Sequence, residues 1–227
     1  FVALLEQGDP RSVIMLERFF DLEAHYQLPR WRYVALSRRA TLATLQGRFE
    51  EATRWIAEAS ALGERLGEAD RHGVRCDQTW ELARLQGDDD TTAALLAGYR
   101  GDPHIIVLEV GDAYERGDLA RAEQLRATFD ELAAQWPRWA ATVWLTLQVQ
   151  LAVATADRER CERLRSEVAP LADQWAVLGG GVLTRGPMVL WRAALDAGLD
   201  EWDEAIAGFV AATASAEALH ARPWVVQ

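Results

Sequence analysis

Three stretches of this chain hold side chains whose type and spacing could do chemistry. Asp88-Asp89-Asp90 is a run of carboxylates, the hard oxygen donors that magnesium and calcium take. The run follows Gly87, where an aspartate can instead cap the next helix and face its positive end. The second acidic motif that an all-helical metal enzyme needs is missing, so capping is the favoured reading. His72 and Cys76 stand four apart, the spacing that sets two zinc ligands on one helix face. Two further ligands are required, and His25, His104, His220 and Cys161 are scattered, so ordinary helix positions are favoured there. From 177 to 187 runs the longest irregular stretch. Its Gly179, Gly180 and Gly181 could cradle an anion ahead of a helix, with Arg185 assisting, or form a plain loop between repeats. Thr184 stands where a dinucleotide-binding Gly-x-Gly-x-x-Gly needs its third glycine, and no strand is expected before it. These residues make no catalytic set, and neither a metal nor a cofactor is expected.

The elements that must position any such residues are announced by a recurring phrase. It reads Gly47-Arg48-Phe49-Glu50-Glu51-Ala52, then Gly117-Asp118-Leu119-Ala120-Arg121-Ala122, then Asp200-Glu201-Trp202-Asp203-Glu204-Ala205. Each copy has a turn residue, a large apolar residue two later and an alanine five later, between long amphipathic stretches. A residue that breaks one helix, one that staples the next and an alanine that admits close contact describe a helical hairpin. The pattern predicts helices over 12–26, 31–45, 49–66, 70–85, 91–99, 103–115, 119–135, 138–155, 158–175, 187–197 and 201–219. Turn residues Gly47, Gly87, Gly117, Asp157 and Asp200 recur at 30 to 43 residues, straddling the tetratricopeptide period of about 34 without keeping to it.

The expected fold is all-α: a right-handed superhelical array of about five antiparallel helix hairpins, a tetratricopeptide-like α-α solenoid. Ala52, Ile56 and Ala59 should face the core, as should Ala205, Phe209 and Ala212, with Trp55 and Trp202 packed at hairpin positions. The opening residues read as the tail of one helix and Arg222-Pro223-Trp224 as the first turn of another. On that reading 1–227 is a single repeat domain cut from a longer polypeptide.

Composition narrows the function. The 24 basic residues, all arginine, are outnumbered by 35 acidic ones, for a net charge of −11. An acidic surface repels phosphate, so direct nucleic-acid contact by this segment is not expected. Without lysine, Schiff-base catalysis and a P-loop are excluded within these residues. No apolar run has membrane-spanning length, and two distant cysteines, Cys76 and Cys161, suit thiols in a reducing compartment; a cytoplasmic location is expected.

Several segments together resemble a known family. They are Trp31-Arg32-Tyr33-Val34-Ala35-Leu36, the phrase from Gln46 to Ala52, Gly179-Gly180-Gly181, Trp202-Asp203-Glu204-Ala205 and Ala221-Arg222-Pro223-Trp224. In this order they resemble the tetratricopeptide-like region of large bacterial LuxR-type regulators, and of related nucleotide-cyclase signalling proteins, that carry an ATPase module. The resemblance implies a non-catalytic sensor, with an ATPase and a helix-turn-helix elsewhere in the same polypeptide. In such arrays the first helix of each pair lines a concave groove. That register points inward Ser37, Arg38 and Thr41; Asp77, Gln78 and Glu81; His104 and Tyr114; Trp144 and Gln148; and Trp191. Arginine, carboxylates, amides and aromatics suit a peptide, a protein partner or a small polar effector, or else a solvated face. A constitutive interaction or oligomerisation scaffold, self-associating included, is the second reading. An all-helical metal-dependent enzyme, resting on Asp88 to Asp90 alone, is the third.

Overall fold

The computed structural model describes residues 1–99, 103–133 and 138–225, apart from the side chains at 103, 104, 115, 133 and 138. Among the described residues the chain is all-α, with helices broken by a single two-stranded sheet. A short helix α1 (Val2–Glu6) precedes α2 (Arg11–Tyr26), α3 (Pro29–Leu45), α4 (Phe49–Leu66), α5 (Arg71–Gln86) and α6 (Asp89–Gly98). Next come α7 (Pro103–Glu115), α8 (Leu119–Ala133), α9 (Ala141–Ala154) and α10 (Arg158–Val168). Strands β1 (Trp175–Leu178) and β2 (Leu183–Pro187) follow, then α11 (Met188–Gly198), α12 (Trp202–Ala218) and α13 (Arg222–Val225). No helix among these residues is long and apolar enough to cross a membrane.

Five turns share one backbone geometry. Gly47, Gly87, Gly117, Ala156 and Asp200 all take a left-handed conformation, with φ between +50° and +74°. The residue after each donates its N–H back five positions: Arg48 to Ala43, Asp88 to Ala83, Asp118 to Ala113, Asp157 to Ala152 and Glu201 to Asp196, at 2.8–3.0 Å. That is the Schellman closure of a helix, and it satisfies carbonyls the helix end would leave bare. The fourth turn residue is therefore Ala156, not Asp157, which caps α10 by accepting the Arg160 N–H at 3.1 Å. Asp88 and Asp118 cap α6 and α8 in the same way, through Thr91 and Arg121.

Five residues after each turn stands a small buried side chain: Ala52, Thr92, Ala122, Cys161 and Ala205. Small residues let the second helix of a pair close on the first, and α3–α4, α5–α6, α7–α8, α9–α10 and α11–α12 do pack together. Of the large residues two after the turn, Phe49 packs against the core around Ala52 and Ile56, and the other two turn outward. Trp202 is 59% exposed and Leu119 is also exposed, because a side chain at a helix start leans back over the turn and not into the seam. Phe209 is also outward. Gly208 takes the inward place, where an added Cβ would lie 2.7 Å from Ala193 Cβ.

The expected helix over 158–175 stops at Val168, before Pro170, and the irregular stretch after it is a β-hairpin. β1 pairs antiparallel with β2 in the register Trp175–Pro187, Val177–Thr184 and Leu178–Leu183, with an irregularity between Trp175 and Val177. All nine strand residues are buried. The sheet touches α1, α3, α5, α9, α11 and α12, so it sits inside the helices as core. α13 reaches the α3–α4 turn: the side chain of Pro223 lies within 3.6 Å of a Cβ placed on Gly47.

Candidate functional site

The centre of the molecule is charged. Arg185 on β2 is wholly buried, with 0% of its surface exposed. Its Nη1 donates to Glu81 Oε2 at 3.0 Å and its Nη2 to Gln150 Oε1 at 2.7 Å. Arg84, one turn along α5, grips the same carboxylate from the other side, Nη2 to Oε1 at 2.8 Å and Nε to Oε2 at 3.1 Å. Burial pushes the Glu81 carboxyl up, but the two guanidiniums outweigh it and hold it below the ordinary carboxylate range. The Arg185 guanidinium also lies 5.1 Å from the Trp80 ring and 5.3 Å from that of Trp191, positions at which aromatic faces attract a cation. Trp191 Nε1 donates to the Arg185 carbonyl at 2.7 Å.

A second set of bonds pins the hairpin turn. Gln78 Nε2 donates to the carbonyls of Ser37 (2.8 Å) and Val182 (3.0 Å), and Thr41 Oγ1 donates to the same Val182 oxygen. Arg38 donates to Ser37 Oγ at 2.9 Å, and a Cβ on Gly180 would lie 2.8 Å from its Nη2. Burial lowers the Arg38 pKa, against the opposing pull of Tyr33 and Asp70.

These contacts place the residues assigned from sequence to the groove. Ser37, Thr41, Gln78, Glu81 and Trp191 converge, and Arg38 joins them, but they converge on the chain's own hairpin, which occupies the space between the helices. Asp77 is buried beside them on α5. Trp144 lies apart, stacked on Phe129 of α8 with centroids 4.2 Å apart in a second core built from α5, α6, α7, α8 and α9. Gln148 is half-buried on α9, and the His104 side chain lies outside the described residues. The anion loop of Gly179, Gly180, Gly181 and Arg185 is corrected. The glycines form the hairpin turn, and Arg185 is committed to Glu81 and Gln150. His72 is exposed while Cys76 is buried, so the pair does not share an environment.

Sequence reasoning missed Arg84, Gln150, Trp80 and Thr146, whose Oγ1 lies 3.5 Å from Arg185 Nε. Two signals were available: Arg84 stands three after Glu81 on one helix face, and Thr146 and Gln150 are polar residues four apart on α9, which carries no charge.

The open part of the site is a cleft of about 600 Å³ between the α7–α8 turn, α9 and α11. Tyr114, Leu119, Val153 and Leu190 form its apolar walls, while Arg84, Gln150 and Trp191 line it and belong also to the buried network. An apolar cavity with a few fixed polar groups is how small-ligand and side-chain pockets are built. No known protein family, curated protein or solved structure matches this chain.

Proposed function

We propose that this chain is a non-catalytic sensing domain that takes a small effector or a peptide side chain in the cleft between α7, α9 and α11. We further propose that its five helix pairs form a right-handed, tetratricopeptide-like superhelix. The observation that carries the reading is the sharing of Arg84, Gln150 and Trp191 between the cleft wall and the buried Glu81–Arg185 network. A ligand held there contacts the side chains that fix the hairpin inside the helices. Its binding energy can therefore shift how the helices close around the hairpin, which is what a sensor requires. The resemblance to LuxR-type regulators supports an output through a neighbouring ATPase and a helix-turn-helix, with DNA read by that module and not by this one.

The apolar walls, with the Gln150 amide among them, favour an apolar or aromatic body that carries a polar group. The test is a thermal-shift and tryptophan-fluorescence screen of aromatic and aliphatic carboxylates and short peptides against the purified chain. Hits should vanish in Leu190→Trp, whose bulk fills the cleft from its apolar wall. Hits indifferent to that change, or ATP hydrolysis by the purified chain, would overturn the reading.

A further inference from the structure

Two helix turns lie side by side where α13 meets the α3–α4 connection. At one, Gly47 takes φ +74° and Arg48 donates its N–H to the Ala43 carbonyl at 2.8 Å. At the other, His220 takes φ +54° and Ala221 donates to the Ala216 carbonyl, also at 2.8 Å, closing α12 ahead of α13. Both are Schellman closures, which fix the backbone on each side. A Cβ on Gly47 would lie 3.6 Å from Pro223 Cδ and 3.7 Å from Arg222 Cβ, so the turns are adjacent. Between them opens a cleft of about 530 Å³, lined by Gln46, Arg48, Glu217, His220, Arg222 and Val225. It shares no lining residue with the cleft between α7, α9 and α11.

This second cleft holds both signs of charge, and they are not spent on each other. Glu217 and Arg222 both line it, yet among the described residues neither side chain has a hydrogen bond or an ion pair. Arg48 is held in place: Nε and Nη2 donate to Gln46 Oε1 at 3.1 and 2.8 Å, and Nη1 donates to Glu51. A guanidinium has five N–H groups, so Arg48 keeps two to offer beside the full set on Arg222. Glu217 stands in the last turn of α12, the negative end of the helix dipole, and that turn has no basic residue. A cationic group beside Glu217 therefore gains from the carboxylate and from the helix end together. A guanidinium, in turn, matches a carboxylate through two parallel N–H bonds. The chain carries −11, so a free anion is repelled at a distance while a molecule without net charge is not. A carboxylate and an ammonium on one carbon meet all of these conditions.

We propose that this cleft binds a free α-amino acid as its zwitterion. Arg222, with the spare N–H groups of Arg48, takes the α-carboxylate, and Glu217 takes the α-ammonium. His220 and Val225 border the room left for the side chain. Occupancy bears on the core through α13: the Trp224 ring lies against Gly186 of β2 and 5.3 Å from the Arg84 guanidinium. The inference stands whether or not the other cleft binds an effector.

The test is titration calorimetry of the purified chain with the standard amino acids, the tightest hit followed by its amide and its N-acetyl derivative. Saturable binding at millimolar concentration or tighter is expected. The amide removes the carboxylate and the N-acetyl form the ammonium, so each should bind about tenfold more weakly or worse, the loss of one hydrogen-bonded charge. Arg222→Gln and Glu217→Gln should each weaken the free amino acid by a similar factor. Circular dichroism and melting should stay unchanged in both, since both side chains reach solvent. No saturable binding by any standard amino acid, or a hit indifferent to either substitution, would overturn the inference. So would an N-acetyl derivative or inorganic phosphate that binds as tightly as the free amino acid, which would make the cleft a plain anion site.

Discussion

Replacing Glu81 with glutamine removes a charge that two buried guanidiniums share and leaves shape and volume almost unchanged. Arg84 and Arg185 both bond the carboxylate, at 2.8 to 3.1 Å, and the Glu81 and Arg185 side chains are essentially without solvent. Breaking a buried ion pair by deleting one partner costs about 3–5 kcal/mol, because the charge left behind stays desolvated. In a domain of this size 1 kcal/mol is worth about 2–4 °C, so Glu81→Gln should lower the melting temperature by about 6–20 °C. Arg185→Met should cost less, since Glu81 keeps Arg84 and the thioether packs between Trp80 and Trp191. The double variant Glu81→Gln/Arg185→Met should be more stable than the sum of its single changes by about 1–3 kcal/mol, the range for residues in direct contact. Urea titration of the four proteins gives the cycle. A Glu81→Gln protein within about 1 kcal/mol of wild type, or a cycle with no coupling, would refute the claim that this charge network pins the hairpin.

Acid should act through the same group. The Glu81 pKa is lowered in the folded state, so its stabilisation is complete above the unfolded carboxylate value of about 4.3 and is lost as pH falls through the folded one. Melting curves between neutral and acid pH should therefore bring wild type and Glu81→Gln together at the acid end and hold them apart above it. Ala156→Gly, at an exposed left-handed position with φ +50°, should stabilise by about 0.5–1 kcal/mol in chemical denaturation, because glycine adopts that conformation without the Cβ clash. Gly186→Ala should destabilise by about 2 kcal/mol or more by the same assay, since φ is +80° and the new Cβ would lie 2.7 Å from the Trp224 ring.

The helices were legible because their signals are local. A glycine or aspartate that ends one helix, an acidic cap and a small residue five after the turn are all set within one hairpin, and α4 and α7 fall on the spans read from sequence. The hairpin was not legible because its cause is distant. The run Trp175–Leu178 is too short for periodicity to separate strand from buried helix, and its pairing partner lies beyond three glycines. Its burial depends on Gln78 and Glu81, about a hundred residues earlier in the chain. The outward turn of Phe209 has a similar origin: only the approach of Ala193 shows that Gly208, and not its neighbour, must face the seam.

The residues expected to line a groove meet the chain's own hairpin for a physical reason that bears on function. The tetratricopeptide register turns the polar residues of α3 and α5 toward a concave groove, where a mixture of charges and amides suits a ligand. They are polar because they meet backbone: the Val182 carbonyl has no strand partner at the hairpin turn and takes donors from Thr41 and Gln78. Arg185 likewise brings a charge into the centre that Glu81 must neutralise. Such a hairpin meets side chains much as a bound peptide would, through main-chain oxygens and one anchoring guanidinium. An added ligand would have to displace core to reach those partners, and it is therefore confined to the cleft at their edge. A compound that binds there should alter the exposure of Trp191 before it alters that of Trp175, which is 1% exposed and hydrogen-bonded to Ser215 at 2.9 Å. Single-tryptophan variants would report the order, and a ligand that moved Trp175 first would place binding inside the hairpin and refute the confinement.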